Sequence, residues 1–220
     1  MKKGEIITVV SLIVIFFTGV TAAYFITRVE RQLPIINPSD LNPDIVPDSL
    51  EGQGLHHRIR DFVLLDQRGN VLTLDSLREK IYVADFFFTA CPSICIDMAG
   101  SMRRLQEEFK DEDRLVLVSH SVTPVADSVE VLAEYADRNG AIYGKWFLLT
   151  GEKKVIYDLA RTNYFAVLDP DAYGEEHDFI HTENFVLVDQ DKKIRGVYAG
   201  TNPQEIDLLI NDIHLLLNQQ

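Results

Sequence analysis

The sequence is poor in positive charge and in cysteine, and it shows no internal repeat. Its 21 lysines and arginines stand against 34 acidic residues, which gives a formal net charge of -13. A protein that binds nucleic acid needs a concentrated basic face, so this balance argues against nucleic acid as a partner. Two cysteines are too few for a network of disulfides, while 46% hydrophobic residues suffice for an ordinary globular core.

One N-terminal stretch lacks charge altogether. Residues 6–27 contain no charged side chain, and Lys2 and Lys3 precede them. A helix needs about 20 apolar residues to cross a bilayer, so we expect a cytoplasmic tip and a retained transmembrane helix over residues 1–27. A cleavable signal peptide is the alternative, with Thr21-Ala22-Ala23 as a tolerable cleavage site, but its apolar region is usually about 7–15 residues long.

The two N-terminal lysines also predict how this helix is oriented, because positive charge favours the cytoplasmic side of a membrane. The sequence therefore predicts a single-pass protein of the cell inner membrane, whose C-terminal domain faces the periplasm. That compartment is oxidising, so a pair of thiols can act there as a functional couple.

Proline is concentrated just after the expected anchor. Four of the eight prolines lie in residues 28–57, namely Pro34, Pro38, Pro43 and Pro47. Proline fixes φ and lacks a backbone donor, so this segment is predicted to be a semi-extended tether. Leu41, Ile45 and Val46 leave open the alternative of an ordered arm that packs on the domain. The globular domain is placed at residues 58–220.

Strand and helix patterns alternate along this domain. The predicted strands are 62–65, 71–74, 81–88, 115–119, 146–149, 185–188 and 194–198, and the predicted helices are 96–110, 128–139, 152–163 and 203–218. Residues 66–70 and 189–193 have the chemistry of hairpin turns, and the polar stretch 169–178 reads as a loop. The alternation predicts an α/β fold with a central mixed β-sheet flanked by helices.

Both cysteines lie at one corner, between the apolar run 81–88 and the helix that follows. A thiol at a helix N-terminus is expected to have a lowered pKa, and Cys91 and Cys95 are spaced to lie on one face. A cysteine pair in this place is the thioredoxin-like arrangement. Two thiolates with one imidazole suit Cu(I), and also zinc. A purely structural disulfide is the alternative, but so short a loop gains little stability from being closed.

A third ligand would come from the histidines. His120 follows a predicted strand end, within reach of the cysteines. His177 and His181 lie where the polar loop enters the strand Thr182 to Val188. In thioredoxin-like folds the residues that open this strand face the cysteine pair and usually include a cis proline. His181 occupies that place and is the predicted ligand. The remaining histidines are expected on the surface: His56, His57 and His214.

Several segments together resemble the SCO (SenC) family of membrane-anchored copper proteins that assist the assembly of cytochrome c oxidase. They are FFFTACPSIC, LVSHSVTPVADSVEVLAEYA, WFLLTG, YDLARTNYF, DFIHTENFVLVD and RGVYAGT, and the likeness extends over residues 58–220. The resemblance implies a thioredoxin-like fold with an N-terminal transmembrane helix. It also implies copper, as Cu(I) or Cu(II), bound by Cys91, Cys95 and His181.

The chain departs from the family pattern at two places. Ile96 stands where family members commonly have proline, and Thr123-Pro124 stands where they commonly have Asp-Pro. The aspartate acts near the site in some members, so its loss puts a carboxylate role at that place in doubt. Asp127 remains nearby.

The resemblance implies a copper chaperone that delivers copper to the copper-site subunit of cytochrome c oxidase. A periplasmic copper donor or a thiol-disulfide reductant would be a further partner. The alternative is a thiol-disulfide oxidoreductase that reduces the cysteines of that copper site, a reaction that needs Cys91 and Cys95 but not His181. A thiol peroxidase on the same fold is disfavoured, since Thr89-Ala90-Cys91 has the wrong spacing. The roles of His120 and His177 stay open.

Overall fold

The structure is a computed structural model that describes residues 3–27, 32–40, 57–166, 180 and 182–219. The chain divides into two compact units, Met1–Gln32 and Leu33–Gln220. Helix α1, Lys3–Thr27, forms the first unit. Within the described residues, no helix combines the length and the apolar character that a membrane crossing requires. The membrane anchor therefore stays a prediction.

The second unit is built on a seven-stranded sheet in the order β2-β1-β5-β4-β3-β6-β7. Its strands are β1 Val63–Asp66, β2 Val71–Thr73, β3 Ile81–Phe87, β4 Leu115–Ser121, β5 Trp146–Thr150, β6 Asn184–Val188 and β7 Ile194–Ala199. Strands β3, β4 and β5 are parallel, and the two hairpins pair antiparallel to their neighbours. The predicted α/β architecture with a mixed sheet is confirmed.

The helices of this unit are α2 Ile94–Glu108, α3 Val129–Asn139, α4 Lys153–Asp158 and α5 Pro203–Asn218. Local chemistry sets several of their ends. The Ser128 side chain accepts from the Val131 N–H at the start of α3, and Gly140 ends that helix with a φ of 66°. The single helix predicted over 152–163 is instead α4 followed by a π-helical turn, Leu159–Asn163.

The two faces of the sheet carry separate hydrophobic cores, because side chains alternate along each strand. On β3, Val83 and Phe87 point to the face that also holds Cys91 and Cys95, together with α2, α3 and α5. We call this the cysteine face. Tyr82 and Phe86 point to the opposite face, which packs against α4 and the π-helical turn.

Part of the predicted tether packs on the domain. Leu33 is 5% exposed and belongs to the core of the cysteine face. The Ile36 N–H donates to the Ile194 carbonyl at 2.9 Å, which adds an isolated bridge to β7. The Arg195 guanidinium donates to the Leu33 and Pro34 carbonyls at 2.6 and 3.0 Å. For residues 33–40 the ordered arm is thus what the structure shows, while Leu41, Ile45 and Val46 lie outside the described residues.

Candidate metal centre

Cys91 and Cys95 lie where the chain leaves β3 and enters α2. The Cys91 N–H donates to the Phe88 carbonyl at 3.3 Å, which closes a turn directly after the strand. Helix α2 begins at Ile94, two residues earlier than predicted, and its N-cap Ser93 makes no side-chain capping bond. Cys91 therefore precedes the helix and Cys95 lies in its first turn. Both side chains are free thiols, exposed by only 9% and 5%.

The two thiols are electrostatically unequal. Burial raises the pKa of the Cys91 thiol, but hydrogen bonds from the Cys95 thiol and from the backbone at Ser93 and Cys95 outweigh it, so the pKa is lowered. Burial raises the pKa of Cys95, and the hydrogen bond that it donates to Cys91 raises it further. Of the two thiols, Cys91 therefore gives up its proton more readily than Cys95.

The cysteine face contains a buried carboxyl group that was not predicted from the sequence. Asp85 on β3 is 3% exposed. Burial raises its pKa to about 7, although a hydrogen bond with Ser119 opposes the shift, and its charge raises the pKa of Cys95. A lone acidic residue inside the apolar run IYVADFFF is the signal that could have revealed it, since an unpaired carboxylate is costly to bury.

The phenol of Tyr135 on α3 belongs to the same environment. Burial, followed by the charges of Asp85, Cys95 and Cys91, raises its pKa well above the ordinary value. Its ring lies 5.0 Å from the Phe87 ring, in the core that holds both cysteines. The cysteine face thus combines two thiols with a neutral phenol and a carboxyl group of raised pKa.

The predicted third ligand, His181, lies outside the described residues, as does His177. Strand β6 runs antiparallel to β3, with Ala84 opposite Val186, so the N-terminal end of β6 lies at the edge where β3 reaches Cys91. Among the described residues there is no group of three or more His, Cys, Asp or Glu side chains placed to hold a metal ion. The assignment of His181 therefore stays a prediction.

His120, expected within reach of the cysteines, does not belong to their site. Strand β4 extends to Ser121, and its alternation directs His120 to the opposite face. There the fully buried ring stacks on Phe86 at 5.0 Å and lies 5.5 Å from the Tyr164 ring. Its Nδ1–H donates to the Asp85 carbonyl at 3.3 Å, and burial lowers its pKa to about 4.

The other described histidines also lie away from the cysteines. His214 is half exposed on α5 and its Nε2 lies 3.4 Å from Glu108, as expected for a surface position. His57 is only partly exposed, because its Nε2 bonds the Asn163 carbonyl at 2.7 Å and its ring packs on Phe165. The surface prediction is thus wrong in part for His57, while His56 lies outside the described residues.

The two departures from the family pattern have different surroundings. Ile96, in the first turn of α2, is 61% exposed beside Cys95. Thr123 carries no charge, but its hydroxyl donates at 2.9 Å to the carboxylate of Asp127, which is 1% exposed. A carboxylate is thus retained four residues further along the chain.

A dithiol at the C-terminal end of a central parallel strand, followed at once by a helix, defines a thioredoxin-like protein. The family model described as SCO1/SenC matches residues 51–218, so the chain belongs to the SCO1/SenC family.

Two relatives illustrate this membership. The SCO1 protein homolog of Bacillus subtilis is 31% identical over 161 residues, which cover 72% of this chain and 82% of the relative. A protein of Stutzerimonas stutzeri that is named as copper-binding is 28% identical, over 60% of this chain and 65% of that protein.

Among solved structures, the chain is similar to BsSco, a member of the Sco family of cytochrome c oxidase assembly proteins in which a disulfide switch was identified. The TM-score is 0.64 at 28% identity, over 76% of this chain and 96% of that chain.

Proposed function

We propose that this protein is a copper chaperone that delivers copper, as its cargo, to the copper-site subunit of cytochrome c oxidase during assembly. The observation that carries the proposal is the pair of free, buried thiols, with Cys91 directly before α2 and Cys95 in its first turn. Thiolates are soft ligands that select Cu(I), and an imidazole completes such a site. Cys91, Cys95 and His181 are the proposed ligands, and the copper named for the Stutzerimonas relative supports this chemistry.

The proposal includes attachment to the cell inner membrane, with the domain in the periplasm. It rests on the uncharged run of residues 6–27 and on Lys2 and Lys3 ahead of it. A periplasmic copper donor would load the protein there. A mature N-terminus near Tyr24 and a protein that stays in solution without detergent would contradict the anchor.

A second function, thiol-disulfide exchange, is favoured by the inequality of the two thiols. The Cys91 thiolate would attack a partner disulfide, forming a mixed disulfide while the partner's other sulfur leaves as a thiolate. Cys95 would then lose its proton and attack the Cys91 sulfur. The partner leaves as a dithiol, and two electrons have passed to it from Cys91 and Cys95, which now form a disulfide.

Metal analysis of the full-length protein in detergent tests the copper proposal. We expect one Cu(I) per reduced chain and none in the fully oxidised chain, because a disulfide carries no thiolate. His181→Ala should weaken Cu(I) binding at least about tenfold, while leaving the exchange of Cys91 and Cys95 with glutathione unchanged.

His177→Ala is the matched control and should change Cu(I) affinity by less than about twofold. Zinc in place of copper, or stoichiometric Cu(I) on an oxidised chain, would refute the proposal. Unchanged copper affinity in His181→Ala, together with fast reduction of a partner disulfide, would leave thiol exchange as the function.

A further inference from the structure

On the C-terminal side of Cys91, the backbone at Ser93 and Cys95 bonds its sulfur, which holds Cys91 near α2. Between β3 and α2, the Cys91 N–H bonds the Phe88 carbonyl and the Ile96 N–H bonds the Ser93 carbonyl, while Ser93 provides no side-chain cap. Cys95, in contrast, is fixed by the first turn of a fifteen-residue helix. The position of Cys91 relative to Cys95 also depends on what holds the two residues that precede it, Thr89 and Ala90.

Asp127, in the loop between β4 and α3, holds Thr89 in place. Its Oδ1 accepts from the Thr89 hydroxyl at 2.6 Å, and its Oδ2 accepts from the Thr89 N–H at 3.3 Å. The same Oδ2 accepts from the hydroxyls of Ser121 at 2.5 Å and Thr123 at 2.9 Å. One buried carboxylate thus ties the loop before Cys91 to the end of β4.

The chemistry of this contact favours a rigid arrangement. A carboxylate that is 1% exposed is tolerated only when its oxygens are satisfied, and these four donors satisfy them. Hydrogen bonds to a charged acceptor are shorter and stronger than neutral ones, so the carboxylate selects one position for Thr89. Backbone pairing strengthens the tie, since the Val122 N–H donates to the Phe87 carbonyl at 2.9 Å.

We propose that Asp127 is a positioning residue for the dithiol. Acting through Thr89, it fixes Cys91 opposite Cys95 and so sets the reduction potential of the pair and its affinity for Cu(I). The effect on copper rests on the proposed function, whereas the effect on the disulfide does not. Two thiols held in place have a high effective concentration for each other, and loosening one of them lowers it.

Exchange with glutathione tests this inference. The reduced pair and oxidised glutathione give the Cys91–Cys95 disulfide and two molecules of reduced glutathione. In full-length protein, Asp127→Asn should lower this equilibrium constant at least about tenfold, which corresponds to a potential about 30 mV less negative. Thr89→Val, which removes one donor and keeps the shape, should shift it in the same direction. The double variant should shift it by less than the sum of the two.

Asp189→Asn is the matched control. Asp189 is also a buried carboxylate that closes a loop, accepting from the Lys193 N–H and from Arg195 at 2.9 Å each. Its hairpin follows Val188, which pairs with Tyr82 near the start of β3, so it lies at the edge opposite Cys91. Asp189→Asn should change the exchange constant by less than about twofold, even where urea unfolding shows a similar loss of stability.

The inference is overturned if Thr89→Val and any folded Asp127→Asn keep the wild-type constant, or if Asp189→Asn shifts it equally. Copper separates the two proposals. A wild type that binds no Cu(I) while its exchange constant still depends on Asp127 refutes the copper function alone. Tight Cu(I) binding with no dependence of either measurement on Asp127 refutes the positioning role alone.

Discussion

Asp85 and His120 are buried titratable side chains on neighbouring strands, and they lie on opposite faces of the sheet. Asp85 of β3 points to the cysteine face, and His120 of β4 points to the opposite face and bonds the Asp85 carbonyl. Burial shifts the pKa of Asp85 up to about 7 and that of His120 down to about 4. Each group is thus driven towards its neutral form, as expected when a charge has no nearby opposite charge.

The surroundings of these two groups differ in what they allow. The charge of Asp85 raises the pKa of Cys95, so the protonation state of Asp85 affects the dithiol. His120 lies among Phe62, Phe86 and Tyr164, and its Nε2 has no hydrogen-bond partner within the described part of the chain. Two groups of similar burial thus have different effects. Asp85 changes the pKa of a cysteine, whereas His120 affects only how the stability of the protein depends on pH.

The largest expected effect is on copper affinity, which should depend on the cysteine face and not on the opposite face. Cys91→Ser replaces a soft thiolate by a hydroxyl, so Cu(I) affinity should fall at least about a thousandfold, beyond the ten- to hundredfold typical of groups that only support a ligand. His120→Phe, on the opposite face, should leave the affinity within about twofold. Competition with a Cu(I) chelator measures both. A loss of affinity in His120→Phe as large as in Cys91→Ser would contradict this difference between the two faces.

The second effect concerns Asp85. Its carboxyl binds its proton more tightly in the folded state than in the unfolded state, so it destabilises the protein increasingly as pH rises from about 4 to about 7. Asp85→Asn should therefore stabilise the reduced protein at pH 8, by up to roughly 4 kcal/mol, and progressively less towards pH 4. Urea unfolding at both pH values checks this. A variant with the pH dependence of the wild type would contradict it.

The smallest effect concerns His120, and its dependence of stability on pH has the opposite sign to that of Asp85. His120 binds its proton less tightly when folded, so stability is lost as pH falls from about 6.5 to about 4. The loss from this one residue should reach roughly 3 kcal/mol. His120→Phe should remove that part of the acid sensitivity, which urea unfolding at pH 7 and pH 4.5 would show. An unchanged difference between the two pH values would mean that His120 is not held neutral.

The sequence predicted the seven strands and the final helix because long apolar runs and capping residues determine them locally. It misplaced His120 for a local reason as well. The strand was predicted to end at Ser119, whereas β4 continues to Ser121, and a residue inside a strand takes the face that alternation gives it. Helix α2 begins two residues earlier than predicted, so Cys95 lies in its first turn instead of just before the helix.

Other features could not be predicted from the pattern of residue types. The π-helical turn closes through the Tyr164 N–H and the Leu159 carbonyl at 2.8 Å, and no residue type specifies that bond. The role of Asp127 likewise needs Thr89, 38 residues earlier in the chain, to be brought beside it. The chemistry of the residues, the expected topology and the resemblance together gave the predicted copper ligands, and the third, His181, stays a prediction.

The ordered arm at residues 33–36 has a consequence for aggregation. Strand β7 is at one edge of the sheet that the structure describes, and an edge strand is a template for pairing with another chain. The bridge between Ile36 and Ile194 covers the start of that edge. A shortened protein that begins at residue 57 would uncover it and would also remove Leu33 from the core. Such a protein should self-associate as its concentration rises, whereas one that begins at residue 32 should stay monomeric under the same conditions.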